Sequence, residues 1–589
     1  MKRGFRASAF LLSFLILAAG VTAERRGAAD RLRALFSDAW EFTLDESPTF
    51  ATSVGDHRKN DRLSSEKLVD YERRLASRRS FIERATRIER KQLSAANQVN
   101  LDIFIRLQAD EVSELEFNSH LIPITNRGGF HVWFPELPKR VPLENEKDYG
   151  NYVSRLNDFG RHAGEQIELM REGIRRGIVL PAVVLEGYEG TITPHIVKDP
   201  AGSLLYAPAR AFPAGIHAEQ QQRITGEISK AILDVVVPAY EAFGDFMRKE
   251  YIPAARGSIG AAALPQGREF YRYRVRHFTT LDIHPEEVHQ LGLNEVARIR
   301  AEMEGVIDKV EFTGSFSDFL AFLRTDERFY AKTGDQLQKE IAYVLKRMDG
   351  QLPRLFSTLP RMPYGIRVVP EYIAPRTTAA YYSRPAGDGT RAGFYYINTF
   401  NLKGRPLYQV EALSLHEAVP GHHLQIALQQ ELEGIPKFRR YAGFTAFVEG
   451  WALYAERLGL EVGFYKDPYS DFGRLSYEMW RACRLVVDTG MHYLGWTRKQ
   501  AIDFMKENTA LSLHNIVAEV DRYISWPGQA LAYKMGELKI RELRSRAEET
   551  LGERFDVRSF HDAVLRSGAV PLDVLERNIE DYILTAGRE

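Results

Sequence analysis

The residues most able to do chemistry in this chain are His416-Glu417-Ala418-Val419-Pro420-Gly421-His422-His423. In the HExxH zinc signature, two imidazoles one helical turn apart hold the ion and the intervening Glu acts as general base. Here the position one turn after His416 is Pro420, which cannot bind metal. On a regular helix, at about 100° and about 1.5 Å per residue, His422 faces away from His416, and His423 shares its face about 10 Å further along. Neither could then share one ion with His416. A metal site therefore requires a distortion at Pro420-Gly421. Proline removes an amide donor and clashes with the preceding turn, and glycine tolerates unusual dihedrals. Such a bulge would return either His422 or His423 to the metal. A polar His-His pair on a surface is the alternative, but these residues interrupt an otherwise apolar helical stretch.

A further ligand should come from a neighbouring helix. Thr445 to Glu456 supplies Glu449 and Glu456, which lie on one face among Phe447, Val448, Trp451 and Leu453. Acids on an apolar face need a partner. Zinc is one; Arg457 or Arg481 is the other.

The elements that must position these groups are mostly helical. Periodic apolar stripes predict helices over 30–43, 63–87, 91–117, 149–177, 220–251 around Pro238, and 284–310. The pattern changes between Tyr364 and Phe400, where Ile366-Arg367-Val368-Val369, Ala379-Ala380-Tyr381-Tyr382 and Phe394-Tyr395-Tyr396-Ile397 read as short antiparallel strands. The segment 385–390 should close a hairpin. A sheet edge beside a metal helix could hold an extended substrate through main-chain hydrogen bonds, or the sheet could simply pack. After Tyr408 the chain is helical again. The fold class is therefore mainly α with a small antiparallel sheet near residues 364–400.

The chain has 589 residues, with 79 Lys and Arg against 79 Asp and Glu. Zero net charge argues against a nucleic-acid partner and against a polybasic membrane patch. Lys2, Arg3 and Arg6, an apolar run from Ala9 to Ala19, and Val21-Thr22-Ala23 form the pattern of a cleaved signal peptide over residues 1–23. A periplasmic or secreted mature chain is expected from about Glu24, with no stable membrane insertion and, lacking a Cys near the cleavage site, no lipid anchor. Cys483 is the single cysteine, so intramolecular disulfides are excluded. Its apolar surroundings predict packing rather than nucleophilic work. Without a repeat or a long linker, residues 24–589 read as one region, with a helical lobe over about 24–280 and a metal-site lobe over about 281–589.

The sequence also resembles the bacterial family known as domain of unknown function 885, which is zinc peptidase-like. The resemblance rests on Tyr382-Ser383-Arg384-Pro385, Arg391, Phe394, Asn398-Thr399, the His416–His423 segment and Glu449-Gly450-Trp451-Ala452-Leu453-Tyr454. It continues through Asp488-Thr489-Gly490-Met491-His492, Arg522 to Ala530, and Tyr533-Lys534. More distantly, the chain is similar to the thimet oligopeptidase and neurolysin group and to Taq-type carboxypeptidases. That similarity implies a two-lobed helical fold around a deep channel. Their His-Glu-x-Gly-His and Phe-Val-Glu motifs, matched to Gly421-His422 and Phe447-Val448-Glu449, imply His422 as second ligand and Glu449 as third. This chain carries two inserted residues, which keeps His423 open as the alternative ligand or as a supporting group.

On this reading one Zn2+ ion is held by His416, His422 and Glu449, and Glu417 is the general base. Glu456 orients a ligand imidazole. Tyr533 is the first candidate oxyanion donor, followed by Tyr523 and His492. Arg391 and Arg522 could pair with a substrate carboxylate, and Asn398 could bind substrate main chain or cap a turn. The expected activity is hydrolysis of short peptides, of oligopeptidase or carboxypeptidase type, since a closed channel would exclude folded proteins. Hydrolysis of a non-peptide amide or ester is the alternative from the same chemistry. A non-catalytic peptide-binding envelope protein is the alternative from another class, and it has no need of Glu417.

Overall fold

The apolar stripes fold as helices close to their expected bounds. In the computed structural model, which describes residues 27–587 apart from 372, 373, 375–377, 386–388 and 390, helices span Ala28–Glu46, Leu68–Thr86, Ala95–Glu116 and Glu146–Arg176. The Glu146–Arg176 helix starts where Asn145 accepts the Asp148 amide and stops at Gly177 in the left-handed region, a pairing of N-cap and C-terminal glycine that fixes both ends. The stretch around Pro238 is helical but interrupted. Wider π turns at Ile232–Val236 and Met247–Tyr251 flank the α-helix Val237–Phe246. The expected signal peptide lies outside the described residues.

Seven helices position the site. They are α1 (Pro285–Lys309), α2 (Val410–Glu417), α3 (His422–Glu431), α4 (Thr445–Leu458), α5 (Pro468–His492), α6 (Leu513–Ser525) and α7 (Ala532–Leu551). The helix α5 is buried along nearly its whole length and packs along α1. The helices α4 and α7 cross at Gly450 and Gly536, where a Cβ on Gly450 would stand 2.5 Å from the Gly536 Cα and one on Gly536 would stand 1.8 Å from the Ala446 carbonyl oxygen. Only paired glycines allow that approach. It brings Glu449, one residue before Gly450, toward the first turn of α7, which carries Tyr533.

The largest apolar core joins Leu63, Tyr149, Phe159 and Tyr240 to Ile299, Met479, Val486 and Ile524, so it runs across the expected lobe boundary near residue 280. Cys483 is part of this core.

The three strands β1 (Tyr364–Val368), β2 (Ala380–Ser383) and β3 (Gly393–Ile397) correct the expected pairing. The sheet is mixed, with order β1-β3-β2. The strands β2 and β3 pair antiparallel, Tyr382 opposite Tyr395, as the expected hairpin requires. Most of its loop lies outside the described residues. The strand β1 instead joins β3 in parallel, Ile366 opposite Tyr395. Neighbouring strands in sequence need not pair once the connection between them is long enough to cross over. Here the connection from Val369 to Ala379 takes the chain to the far edge of β3. The strand β2 is thereby left as an edge.

Candidate metal centre

The His-Glu segment is two helices, not one. The helix α2 ends at Glu417 and α3 begins at His422, with Ala418 and Gly421 both outside helical dihedrals. The Val419–Pro420 peptide is cis. The reversal is tight: a Cβ on Gly421 would lie 1.9 Å from the His416 carbonyl oxygen. It is held by the His423 amide donating to the Ala418 carbonyl at 3.0 Å and by the Trp451 indole N–H donating to the Pro420 carbonyl at 2.9 Å.

This geometry turns His422 back toward His416. The two rings meet nearly edge to face with centroids 4.8 Å apart. Glu449 Oε2 stands 3.6 Å from His416 Nε2 and 3.5 Å from His422 Nε2. One donor atom from each of the three residues falls within 4.8 Å of the others. Tetrahedral ligands at about 2.0–2.1 Å from zinc are about 3.3–3.4 Å apart, so the two separations to Glu449 are close to those of ligands sharing one ion of that size. The separations to Glu449 exceed ordinary hydrogen bonds.

His416 is oriented from behind. Its Nδ1–H donates to Glu456 Oε1 at 2.8 Å, and Arg481 Nη2 lies 3.4 Å from the same oxygen. This is the carboxylate-imidazole arrangement that fixes which nitrogen faces a metal. Burial alone would lower the imidazole pKa, but Glu449 and Glu456 outweigh it and raise it to about 9. For Glu449, burial raises the carboxyl pKa, and the two imidazoles more than reverse this and leave it well below the usual carboxylate range. His422 Nδ1 is buried without a hydrogen-bond partner among the described residues.

His423 is turned away. Its Nδ1 accepts from the Tyr382 hydroxyl at 2.8 Å and its Nε2–H donates to the Met362 carbonyl at 3.0 Å. Burial pushes its pKa down to about 4. With one nitrogen engaged by Tyr382 of β2 and the other by the Met362 carbonyl ahead of β1, it has no lone pair for a metal shared with His416.

The three residues open on a cleft of about 1040 Å³, which Glu417 and Tyr533 also line. Glu417 adjoins His416 in sequence and is partly exposed to the cleft. Burial raises the Tyr533 pKa, as does the charge of Glu449, while Arg484 and Arg522 oppose the shift. The edge strand β2 contributes Ala380, Tyr381 and Tyr382 to the lining.

Several expected residues do other work. Tyr523 is fully buried and is not among the residues lining the cleft; its hydroxyl accepts from Trp480 Nε1 at 3.0 Å and Arg484 Nε at 2.8 Å. His492 is also fully buried. Its Nδ1 accepts from the Ala261 amide and its Nε2–H donates to the Tyr523 carbonyl, each at 3.0 Å. Burial lowers its pKa to about 3, and it stays neutral and structural. Asn398 donates to the Ala374 and Thr378 carbonyls and accepts from the Phe400 amide, which is the turn-capping alternative rather than substrate binding. Arg391 is exposed outside the cleft lining. Arg522 does line the cleft. Arg127, Arg484 and Glu519, which no motif marks in the sequence, line it too. The signal for Arg484 was a third arginine, with Arg474 and Arg481, on the largely buried helix α5.

The family model described as bacterial protein of unknown function (DUF885) matches residues 48–579, and the chain belongs to that family. Its structure is similar to that of a candidate lipoprotein from Colwellia psychrerythraea, at 28% identity and a TM-score of 0.89 over 95% of this chain and 100% of that one. A candidate lipoprotein of unknown function from Shewanella oneidensis shares the fold at 18% identity and a TM-score of 0.71, over 94% of this chain and 99% of that one. No curated protein matches the sequence.

Proposed function

With membership in this family as the premise, we propose that the chain is a zinc-dependent hydrolase of short peptides. The observation that carries the reading is the convergence of His416, His422 and Glu449 on one ion-sized space at the wall of a cleft, with Glu417 beside it. Two imidazoles and one carboxylate are the donor set of catalytic zinc sites, which keep one position open. An ion there would supply Lewis-acid polarisation of the scissile carbonyl and acidify the attacking water.

The protein's own groups do the rest. Glu417 takes the proton of the attacking water and returns it to the leaving amine. Tyr533 donates to the oxygen that gains charge, and its raised pKa keeps the phenol protonated for that task. Glu456, steadied by Arg481, holds His416 with Nε2 facing the cleft. The edge of β2 offers backbone donors and acceptors to an extended substrate, and peptide backbone is what such an edge can pair with. Among the described residues no helix is long and apolar enough to cross a membrane. The N-terminal pattern supports export to the periplasm or beyond.

The test is hydrolysis of a panel of short peptides, with small amides and esters alongside, by the zinc-loaded protein. Peptide cleavage should disappear with chelator and return with zinc. Glu417→Gln should abolish cleavage while zinc stays bound, and His416→Ala should lose the zinc. Cleavage that survives Glu417→Gln would reject the mechanism.

A further inference from the structure

The cleft wall away from the metal ligands carries an imbalance of charge. Arg127, Arg484 and Arg522 all line it, and they gather around one carboxylate. Glu519 Oε1 is 3.5 Å from Arg127 Nη2, while its Oε2 is 3.2 Å from Arg484 Nη2 and 2.9 Å from Arg522 Nη2. The remaining contacts of these arginines are neutral. Arg522 Nη1 donates to Gln529 Oε1 at 2.6 Å, and Arg484 Nε donates to the Tyr523 hydroxyl. Arg484 is 3% exposed, and its Nη1 is buried with no hydrogen-bond partner among the described residues. The other acids lining the cleft are the proposed metal ligand Glu449 and the proposed base Glu417, and the fourth lining arginine, Arg481, already faces Glu456.

Three guanidiniums sharing one contacting carboxylate, with buried Asp488 in electrostatic reach of Arg522, leave an excess of positive charge in a partly desolvated wall. That arrangement costs stability unless an anion completes it. Burial lowers the Arg127 pKa, and the neighbouring Arg522 and Arg484 lower it further, as expected of crowded cations. A carboxylate is the matching group, because the planar guanidinium fork binds it through paired N–H donors. Tyr533 lies within electrostatic reach of both Glu449 and this arginine group, so one ligand can span the two. At the mouth, Trp133 and Trp526 are exposed and line the same cleft, which suits apolar side chains on that ligand.

Building on the hydrolase reading, we propose that Arg127, Arg484 and Arg522 around Glu519 form a subsite for the carboxylate of a short peptide. The carboxylate can come from the peptide's C-terminus or from an acidic side chain near it, and the two sources are separable by experiment.

The experiment measures binding without turnover, by calorimetry on the full zinc-loaded chain carrying Glu417→Gln. Three N-acetylated tripeptides serve as probes. One ends in a free carboxylate, one is its C-terminal carboxamide, and one is a carboxamide with Glu as its last residue. The free acid, the Glu-bearing carboxamide, or both should bind on the order of 10- to 100-fold more tightly than the plain carboxamide, the range expected for charged hydrogen bonds. Whichever acid binds tightly identifies the source. Adding Arg484→Gln or Arg127→Gln should bring that preference close to parity. The Arg127 side chain is itself exposed, so Arg127→Gln carries the test where Arg484→Gln fails to fold. Equal affinity for all three peptides, or a preference unchanged in Arg127→Gln, overturns the subsite. Parallel turnover assays on the unmutated base separate the two readings. Acid preference without hydrolysis retires the hydrolase and keeps the subsite; hydrolysis without acid preference does the reverse.

Discussion

Gly421→Ala puts the geometry of the metal centre at risk by the smallest possible change. The added Cβ would stand 1.9 Å from the His416 carbonyl oxygen and 2.5 Å from that of Leu415. Carbon and oxygen rest at about 3.3 Å or more, so roughly 1.4 Å of movement must be found. The Pro420 carbonyl is tied to Trp451 and the His423 amide to Ala418, which leaves the relative position of His416 and His422 to absorb it. Metal-ligand distances tolerate about 0.2 Å. The variant should therefore lose more than about 100-fold in zinc affinity, or at least about 2.7 kcal/mol. Competition against a fluorescent chelator gives the affinity, and circular dichroism checks that the chain is folded. Gly226→Ala is the control. It lies inside the helix Ala218–Ala231, and a Cβ there meets nothing within 4 Å. It should keep its zinc affinity and gain about 0.5–1 kcal/mol of stability. A folded Gly421→Ala protein with undiminished zinc affinity would refute the claim that this turn sets the site.

Glu456→Gln keeps an acceptor for His416 Nδ1–H but removes the charge that Arg481 and the imidazole share. Zinc affinity should fall about 10- to 100-fold, and unchanged affinity would show that Glu456 only fills space. Asp488 gives a pH prediction away from the centre. Burial pushes its carboxyl up to about 7, although the Tyr271 hydroxyl and Gly528 amide oppose the shift. Because the unfolded chain ionises first, near pH 4, the folded state holds the extra proton between about pH 4 and 7. Stability should therefore fall as pH rises through that window, by up to about 4 kcal/mol. Urea unfolding at pH 4.5 and pH 7.5 should show this loss in the native protein and a smaller one in Asp488→Asn. Equal losses would remove Asp488 as the cause.

The convergence of His416, His422 and Glu449 was legible because its requirements are local and chemical. Pro420-Gly421 can only break a helix, and an acid at Glu449 on an apolar face must meet a partner. The choice between His422 and His423 was not available from periodicity. It depends on a reversal between Glu417 and His422 and on Tyr382 in β2 and Met362 just before β1, which both bond His423. The placement of the other candidate residues was out of reach for a related reason. Tyr523 and His492 are hydrogen-bonded to each other's neighbourhood across α5 and α6, and Asn398 is bonded to backbone 20 and 24 residues upstream. A polar residue in a motif can close a junction as readily as it can touch a substrate.

The sheet and the arginine wall show where sequence reading stops. Strand composition located β1, β2 and β3, but alternation along a strand carries no information on its neighbour's direction. The parallel β1–β3 pair depends on the long connection that returns the chain to the far edge. The wall is assembled from a loop, a long buried helix and a shorter one, with Glu519 and Arg127 nearly 400 residues apart in sequence. Each arginine reads singly as half of an ordinary ion pair. Only in the fold do three of them face one carboxylate, and the unmatched charge then argues for a ligand that the chain does not itself supply.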